Sequence, residues 1–381
     1  MKIVVEDTIP FGREYFSSLG EVDTYSWQTI TPQMLRDADY LVVRSTTKVD
    51  GALLSEATRL KLVTTATAGT NHLDTQWIDD AGISWNSAAG CNAVAVAEYV
   101  LSALLCAHNA GKLELNKATV GIVGAGHVGT NVVRLLDCLG MSYKLCDPPR
   151  ERQGDPRAFV PLDEILNCDV ITLHVPFTVS GPDSTASMIG EAALSTLKGY
   201  QLLINACRGE VIDEPALLTR MAQPDAPTVI LDVFCNEPDI DTRMMEAAWM
   251  CTPHIAGHSV EGKVRGTQMV YEQVCQAMQV APVISLNAML DAVSPVTVSL
   301  DDPMADKLSA RDLKRVVDIA YDIRFDDRHF RQAMAESNQF ARLRKQYRVR
   351  RECSAYTLQV AHPVSEGIRT QLYGLGFTLA D

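Results

Sequence analysis

The sequence predicts an α/β protein built on two doubly wound parallel sheets, with a small α+β segment at the end. Three observations predict it. Residues 119–147 read strand, glycine turn, helix, strand and acid in that order. Short apolar runs alternate with helical stretches on both sides of this block, the pattern of parallel strands joined by crossover helices. The block lies in the middle of the chain, so one domain is inserted within another.

In chain order, residues 2–5, 22–25, 40–43, 62–66 and 83–86 read as strands, with helical stretches near 11–19, 32–38, 51–58 and 74–81. Residues 92–112 keep helical periodicity, with Asn92 suited to an N-cap and Gly111 to the end. This helix is expected to lead from the first domain into the second. Val120–Val123 then reads as a buried strand. Gly124, Gly126 and Gly129 follow as G-x-G-x-x-G. The first allows a tight turn, the second lets backbone approach a pyrophosphate, and the third lets helix pack on strand. His127 and Val128 open the helix to Leu139, whose first N–H groups face the phosphates. A second strand, Ser142–Cys146, ends at Asp147. An acid there accepts the hydroxyls of an adenosine ribose and repels a 2′-phosphate, so NAD is expected rather than NADP. These features make the central domain a Rossmann domain.

Further strands are expected at 169–174, 201–205, 228–232 and 249–252, with helices near 162–167, 191–197 and 214–222. A helix over 257–280 returns the chain to the first, flavodoxin-like domain. Residues 281–300 read as a connector. Beyond it lie helices near 309–320, 327–335, 338–347 and 364–374, with strands near 354–361 and 377–379. The expected domains are therefore 1–92 with 257–285 for substrate, 93–256 for NAD, and a C-terminal domain at 286–381.

Composition narrows the function. A net charge of −13 argues against general binding to nucleic acid or an anionic membrane. Ten cysteines without a C-x-x-C pair suggest neither a zinc site nor a disulfide framework, and no metal is expected. The early charges of MKIVVEDTIP do not suit a signal peptide, and the longest apolar stretch, 93–107, is interrupted by Glu98. The cytoplasm is the expected location.

Four residues past the glycines fit hydride-transfer chemistry. Arg208 follows one predicted strand, Asp232 ends the next, Glu237 lies in NEP and His254 in TPHIAG. Oxidation of a hydroxy acid needs a base for the hydroxyl proton, a role suited to imidazole, and a cation for the carboxylate, suited to the guanidinium fork. A neighbouring carboxylate would hold the imidazole in place. Each residue alone is ordinary; the set, spaced over successive strand ends behind a dinucleotide turn, is what argues for a site.

The order GIVGAGHVG, HVP, NACRG, LDVFCNEP and TPHIAG resembles the D-isomer-specific 2-hydroxyacid dehydrogenases. Within that family, MKIVVEDTIPF, VRSTTKV, TATAGTNHLD, GCNAVAVAEYV, CDPPR and RLRKQYRVRRE resemble the branch acting on a phosphorylated four-carbon hydroxy acid in pyridoxal 5′-phosphate biosynthesis. The resemblance implies that His254 is the acid/base, Glu237 its partner and Arg208 the substrate anchor. It also implies that Asp147, Val175, Asp232 and Gly257 contact NAD, while Ser45, Thr67 and His258 bind a small phosphorylated substrate. His258 stands where this family is expected to carry tyrosine. Another enzyme of the family, such as one acting on 3-phosphoglycerate, and a non-catalytic NAD sensor on the same fold remain as alternatives. The C-terminal domain is expected to build a homodimer and to bring the basic run 342–351 towards the partner's cleft.

Overall fold

Short runs dominated by Val, Leu, Thr and Tyr form the first sheet: β1 (Lys2–Glu6), β2 (Glu21–Tyr25), β3 (Tyr40–Val43), β4 (Leu62–Thr65) and β5 (Ser84–Ser87). All pair in parallel in the order β2-β1-β3-β4-β5. β1, β3 and β4 are buried nearly throughout, as strands covered on both faces must be, whereas the edge strand β5 alternates. The order reverses between β1 and β3, so the crevice of this sheet lies where the loops after those two strands diverge.

The second sheet comprises β6 (Thr119–Val123), β7 (Ser142–Cys146), β8 (Val170–Leu173), β9 (Leu202–Asn205), β10 (Thr228–Leu231) and β11 (Met250–Cys251). Its order is β11-β10-β9-β8-β6-β7, again all parallel, and it reverses between β6 and β8. A third sheet of three parallel strands joins β12 (Val296–Val298), β13 (Thr357–Val360) and β14 (Thr378–Leu379). The strand Val296–Val298 lies inside the expected connector. It has three residues and is held by its pairing with β13, some sixty positions away in the chain, so nothing local announces it. The helix expected near 51–58 is instead a series of turns: the Asp50 carboxylate caps the Ala52 and Leu53 N–H groups at 3.1 Å each, but after Leu54 N–H bonds the Asp50 carbonyl the chain tightens, with Ala57 N–H on the Leu54 carbonyl and Thr58 N–H on that of Glu56.

The structure, a computed structural model, describes residues 1–380, and the chain divides into two units. Met1–Asn92 and Ser259–Ala292 form the first. Ala93–His258 and the chain from Val293 onward form the second, so the C-terminal segment is one body with the NAD domain. Packing explains this. The helix Ala93–Asn109 is buried on all sides from Val96 to Ala107. It packs on the helix His127–Leu139 and also on the C-terminal helices Ala310–Ala320 and Ile323–Glu336. A helix that is apolar all round needs cover all round, and the C-terminal segment supplies it. Among the described residues no helix is long and apolar enough to cross a membrane.

Candidate active site

In the second unit every residue singled out in the sequence follows the C-terminal end of a strand, where ligands of such sheets bind. The glycine turn comes after β6, Asp147 after β7, and Val175 shortly after β8. Arg208 follows β9, Asp232 follows β10 and His254 follows β11.

The glycines have separate jobs. Gly124 has φ +93°, and a Cβ there would lie 2.5 Å from the His174 carbonyl oxygen at the end of β8. At Gly129 a Cβ would lie 2.1 Å from the Gly124 carbonyl oxygen, so only glycine lets the helix start this close to the turn. Gly126 is open: its nearest neighbour would be an Arg150 nitrogen at 3.9 Å. A bare backbone at a helix N-terminus with free space in front of it suits a pyrophosphate. Asp147 sits beside this turn, taking the Ala125 N–H at 2.8 Å and the Arg150 N–H at 3.1 Å. The Arg150 side chain is drawn to Asp147 (3.8 Å) and Asp155 (3.6 Å), so two carboxylates already engage the cation nearest the ribose acid. These residues fit NAD. His174, beside Val175, is partly buried; burial pushes its imidazole down to about 3, and its Nε2 meets the Thr172 hydroxyl at 2.9 Å. It is a neutral packing residue.

His254 and Glu237 meet directly. His254 Nδ1 lies 2.6 Å from Glu237 Oε2, while Glu237 Oε1 accepts the Phe234 N–H at 3.0 Å. His254 has φ +56°, a left-handed conformation uncommon for a side-chain-bearing residue. Asp232 enforces it. The Asp232 carbonyl accepts the His254 N–H at 2.6 Å. Its carboxylate takes the Thr252 hydroxyl (2.7 Å) and the Ile255 N–H (2.8 Å) on one oxygen, and the Ala256 N–H (3.0 Å) on the other. Burial pushes this carboxyl up, against the opposing pull of His254 and of these donors. Asp232 therefore laces the loop that carries His254, a task its position at a strand end did not reveal. Gly257 and His258 complete the loop.

Arg208 is aligned to this pair through backbone. Asn205 donates to the Arg208 carbonyl at 2.9 Å, and one Arg208 nitrogen donates to the Cys207 carbonyl at 2.6 Å. A Cβ on the next residue, Gly209, would lie 2.0 Å from the Phe234 carbonyl carbon. The turn bearing Arg208 thus rests flush on the chain leading to Glu237. Gly209→Ala must force the two apart, and a misplacement of that kind costs about 100-fold in kcat/KM. Steady-state kinetics check it: a wild-type kcat/KM in Gly209→Ala would show that the two loops are not aligned this way.

In the first unit Ser45 and Thr67 follow β3 and β4. The anchor of the Ser45 loop is Glu6, a buried carboxylate that sequence reading passed over. It accepts the hydroxyls of Thr8 (2.6 Å), Thr47 (2.6 Å) and Thr46, and the Arg44 N–H at 2.9 Å. Burial works to raise its carboxyl, but the hydrogen bonds prevail and hold it below the usual carboxylate range. The threonines of RSTT were its only signal. Thr67 shares its hydroxyl with Thr65 at 2.8 Å.

The basic run 342–351 does not form one outward face. Arg348 pairs with Asp326 at 3.1 Å and stacks on Phe325, and the Arg350 side chain is wholly buried. Tyr347, within the same run, lies against the His258 ring, with centroids 5.8 Å apart.

Residues 105–256 match the family model for the D-isomer specific 2-hydroxyacid dehydrogenase, NAD binding domain, and residues 297–376 match a domain of unknown function. The chain is 45% identical to the erythronate-4-phosphate dehydrogenase of Pseudoalteromonas atlantica, over 99% of both chains. It is 44% identical to the enzyme of that name from Marinobacter nauticus, over the full length of both. Among solved structures it resembles the 3-phosphoglycerate dehydrogenase of Entamoeba histolytica bound to NAD+, at 26% identity and a TM-score of 0.61. It also resembles the D-lactate dehydrogenase of Aquifex aeolicus complexed with NAD and lactic acid, at 25% and 0.59. Each covers 73% of this chain and 95% of the other.

Proposed function

The chain belongs to the D-isomer-specific 2-hydroxyacid dehydrogenases, among the erythronate-4-phosphate dehydrogenases, and from that premise we propose how its side chains carry the reaction. The enzyme is an NAD-dependent oxidoreductase. It oxidises 4-phospho-D-erythronate at C2 to (R)-3-hydroxy-2-oxo-4-phosphobutanoate, a step towards pyridoxal 5′-phosphate. Bound NAD would supply the acceptor for the hydride leaving C2, and the residues named below would hold it.

The 2.6 Å contact between His254 and Glu237 carries the reading. With Glu237 ionised, Nδ1–H donates to it, so Nε2 holds the lone pair that takes the C2 hydroxyl proton. Arg208 spends one nitrogen on the Cys207 carbonyl and turns the rest of its fork to the substrate carboxylate. Gly124, Gly126, His127, Val128 and Gly129 hold the pyrophosphate, and Asp147 the adenosine ribose. Val175 and Asp232 contact NAD, Asp232 near the nicotinamide, and Gly257 approaches the cofactor by its backbone. Ser45, Thr67 and His258 bind the phosphorylated acid. A turnover panel of phosphorylated hydroxy acids tests the substrate: 4-phosphoerythronate should be preferred over 3-phosphoglycerate, and the reverse order would sink the assignment.

Cofactor choice rests on Asp147. Asp147→Ala should weaken NADH and narrow the preference for NADH over NADPH, because the acid both accepts the ribose hydroxyls and repels a 2′-phosphate. Fluorescence titration of both cofactors decides it. Equal affinity of the unmodified enzyme for NADH and NADPH would remove Asp147 from this role.

The protein is further proposed to act in the cytoplasm as a homodimer formed through residues 286–381. Sedimentation equilibrium should give twice the chain mass of 41.7 kDa, and a monomer at micromolar concentration would dispose of the dimer.

A further inference from the structure

The C-terminal segment grips both loops of the His254–Glu237 pair. Phe330 and Phe340 pack on Phe234, three residues before Glu237, with ring centroids 6.1 Å away in each case. Asn338 donates to the Pro238 carbonyl at 3.2 Å. Asp327 accepts the Cys251 N–H at 2.8 Å, at the entry to the His254 loop.

The most exacting contact is that of Arg350. Its guanidinium has no solvent exposure, lies 3.7 Å from the centre of the Tyr321 ring, and donates to two main-chain carbonyls: Ala95 at 2.7 Å and Ala256 at 2.9 Å. The Glu98 carboxylate lies 3.7 Å away. Burying a cation is costly, and apolar side chains of similar size commonly hold a fold as well. What an apolar residue cannot do is bind carbonyl oxygens. The peptide groups on either side of Ala256 are thereby held: Asp232 takes the N–H and Arg350 the C=O. Ala256 stands two residues after His254 and just before Gly257 and His258.

We infer that Arg350 is a positioning residue for the reaction: by holding the Ala256 carbonyl it fixes the backbone of residues 254–258 and so the aim of His254. The C-terminal domain is on this reading a working part of the dehydrogenase site in its own protomer. The inference rests on His254 being the acid/base.

Arg350→Lys in the full chain is the test. An ammonium can serve one of the two carbonyls but lacks the fork to span both. The expected result is a fall in kcat of about 10–100-fold, the range for a small misplacement of a reacting group, with NADH affinity changed far less. Leu358→Ala, a cavity in the buried face of β13, serves as the control for lost stability. It should lower Tm and leave kcat alone. Wild-type kcat in Arg350→Lys overturns the inference, as does a kcat that falls equally in Leu358→Ala at a matched loss of Tm. If Arg350→Lys does not fold, Arg350→Met decides, since an apolar chain of similar size can fill the site but binds neither carbonyl: unchanged kcat there overturns the proposal, and a drop in kcat at unchanged NADH affinity supports it. A His254→Ala enzyme with normal turnover would instead remove the underlying reading, so the two failures are separable.

Discussion

His254→Ala should lower kcat by at least about 100-fold, the usual range for loss of a general base, while NAD binding stays nearly unchanged. The reason lies in the ring's geometry. Nδ1 is committed to Glu237 at 2.6 Å, so Nε2 is the one nitrogen left to accept a proton. Glu237→Gln should come close to the same loss. A glutamine must keep an acceptor towards the Phe234 N–H, at 3.0 Å in the native site, and then presents its amide N–H to Nδ1. That pairing favours the tautomer with hydrogen on Nε2, which cannot take the hydroxyl proton. Glu237→Asp, which keeps the charge but shortens the reach, should lie between. Single-turnover absorbance of NADH measures all three. A Glu237→Gln enzyme with wild-type kcat would show that the pair does not set the tautomer.

Arg208→Ala should reduce kcat/KM for 4-phosphoerythronate by about 100- to 1000-fold, in line with about 2–5 kcal/mol for removing one partner of a desolvated, hydrogen-bonded charge pair. Most of the loss should fall on KM, because a carboxylate at C1 is held alike in substrate and transition state. Arg208→Lys should recover part of it: the charge returns, but not the planar fork that matches a carboxylate. Unlike Gly209→Ala, neither change disturbs the backbone contact with Phe234, so Tm should hold. A wild-type KM in Arg208→Ala would mean that the guanidinium faces something other than the substrate.

Much of this enzyme was legible because its signals are local. The glycine turn specifies its own backbone, and the positive φ of Gly124 and the crowding at Gly129 are what those positions demand in a strand–turn–helix. The strands of both large sheets lie where the sequence reading put them, the inner ones as short apolar runs. Arg208, Glu237 and His254 stood out as chemistry-bearing residues behind strand ends, and the family resemblance supplied their roles.

What sequence could not supply are interactions between segments far apart in the chain. That Asp232 laces residues 252–256 requires the ends of β10 and β11 to lie side by side, which only the sheet order provides. Glu6 looks like the last residue of a strand; three of its four donors come from a loop some forty positions later, and only the pairing of β1 with β3 brings them together. The expectation for the 342–351 run treated it as one basic patch turned towards a partner's cleft, but where each of its cations goes is decided by packing. Once the C-terminal helices cover Ala93–Asn109, Arg350 lies inside that contact, and the carbonyls of Ala95 and Ala256 are the acceptors that make its burial tolerable.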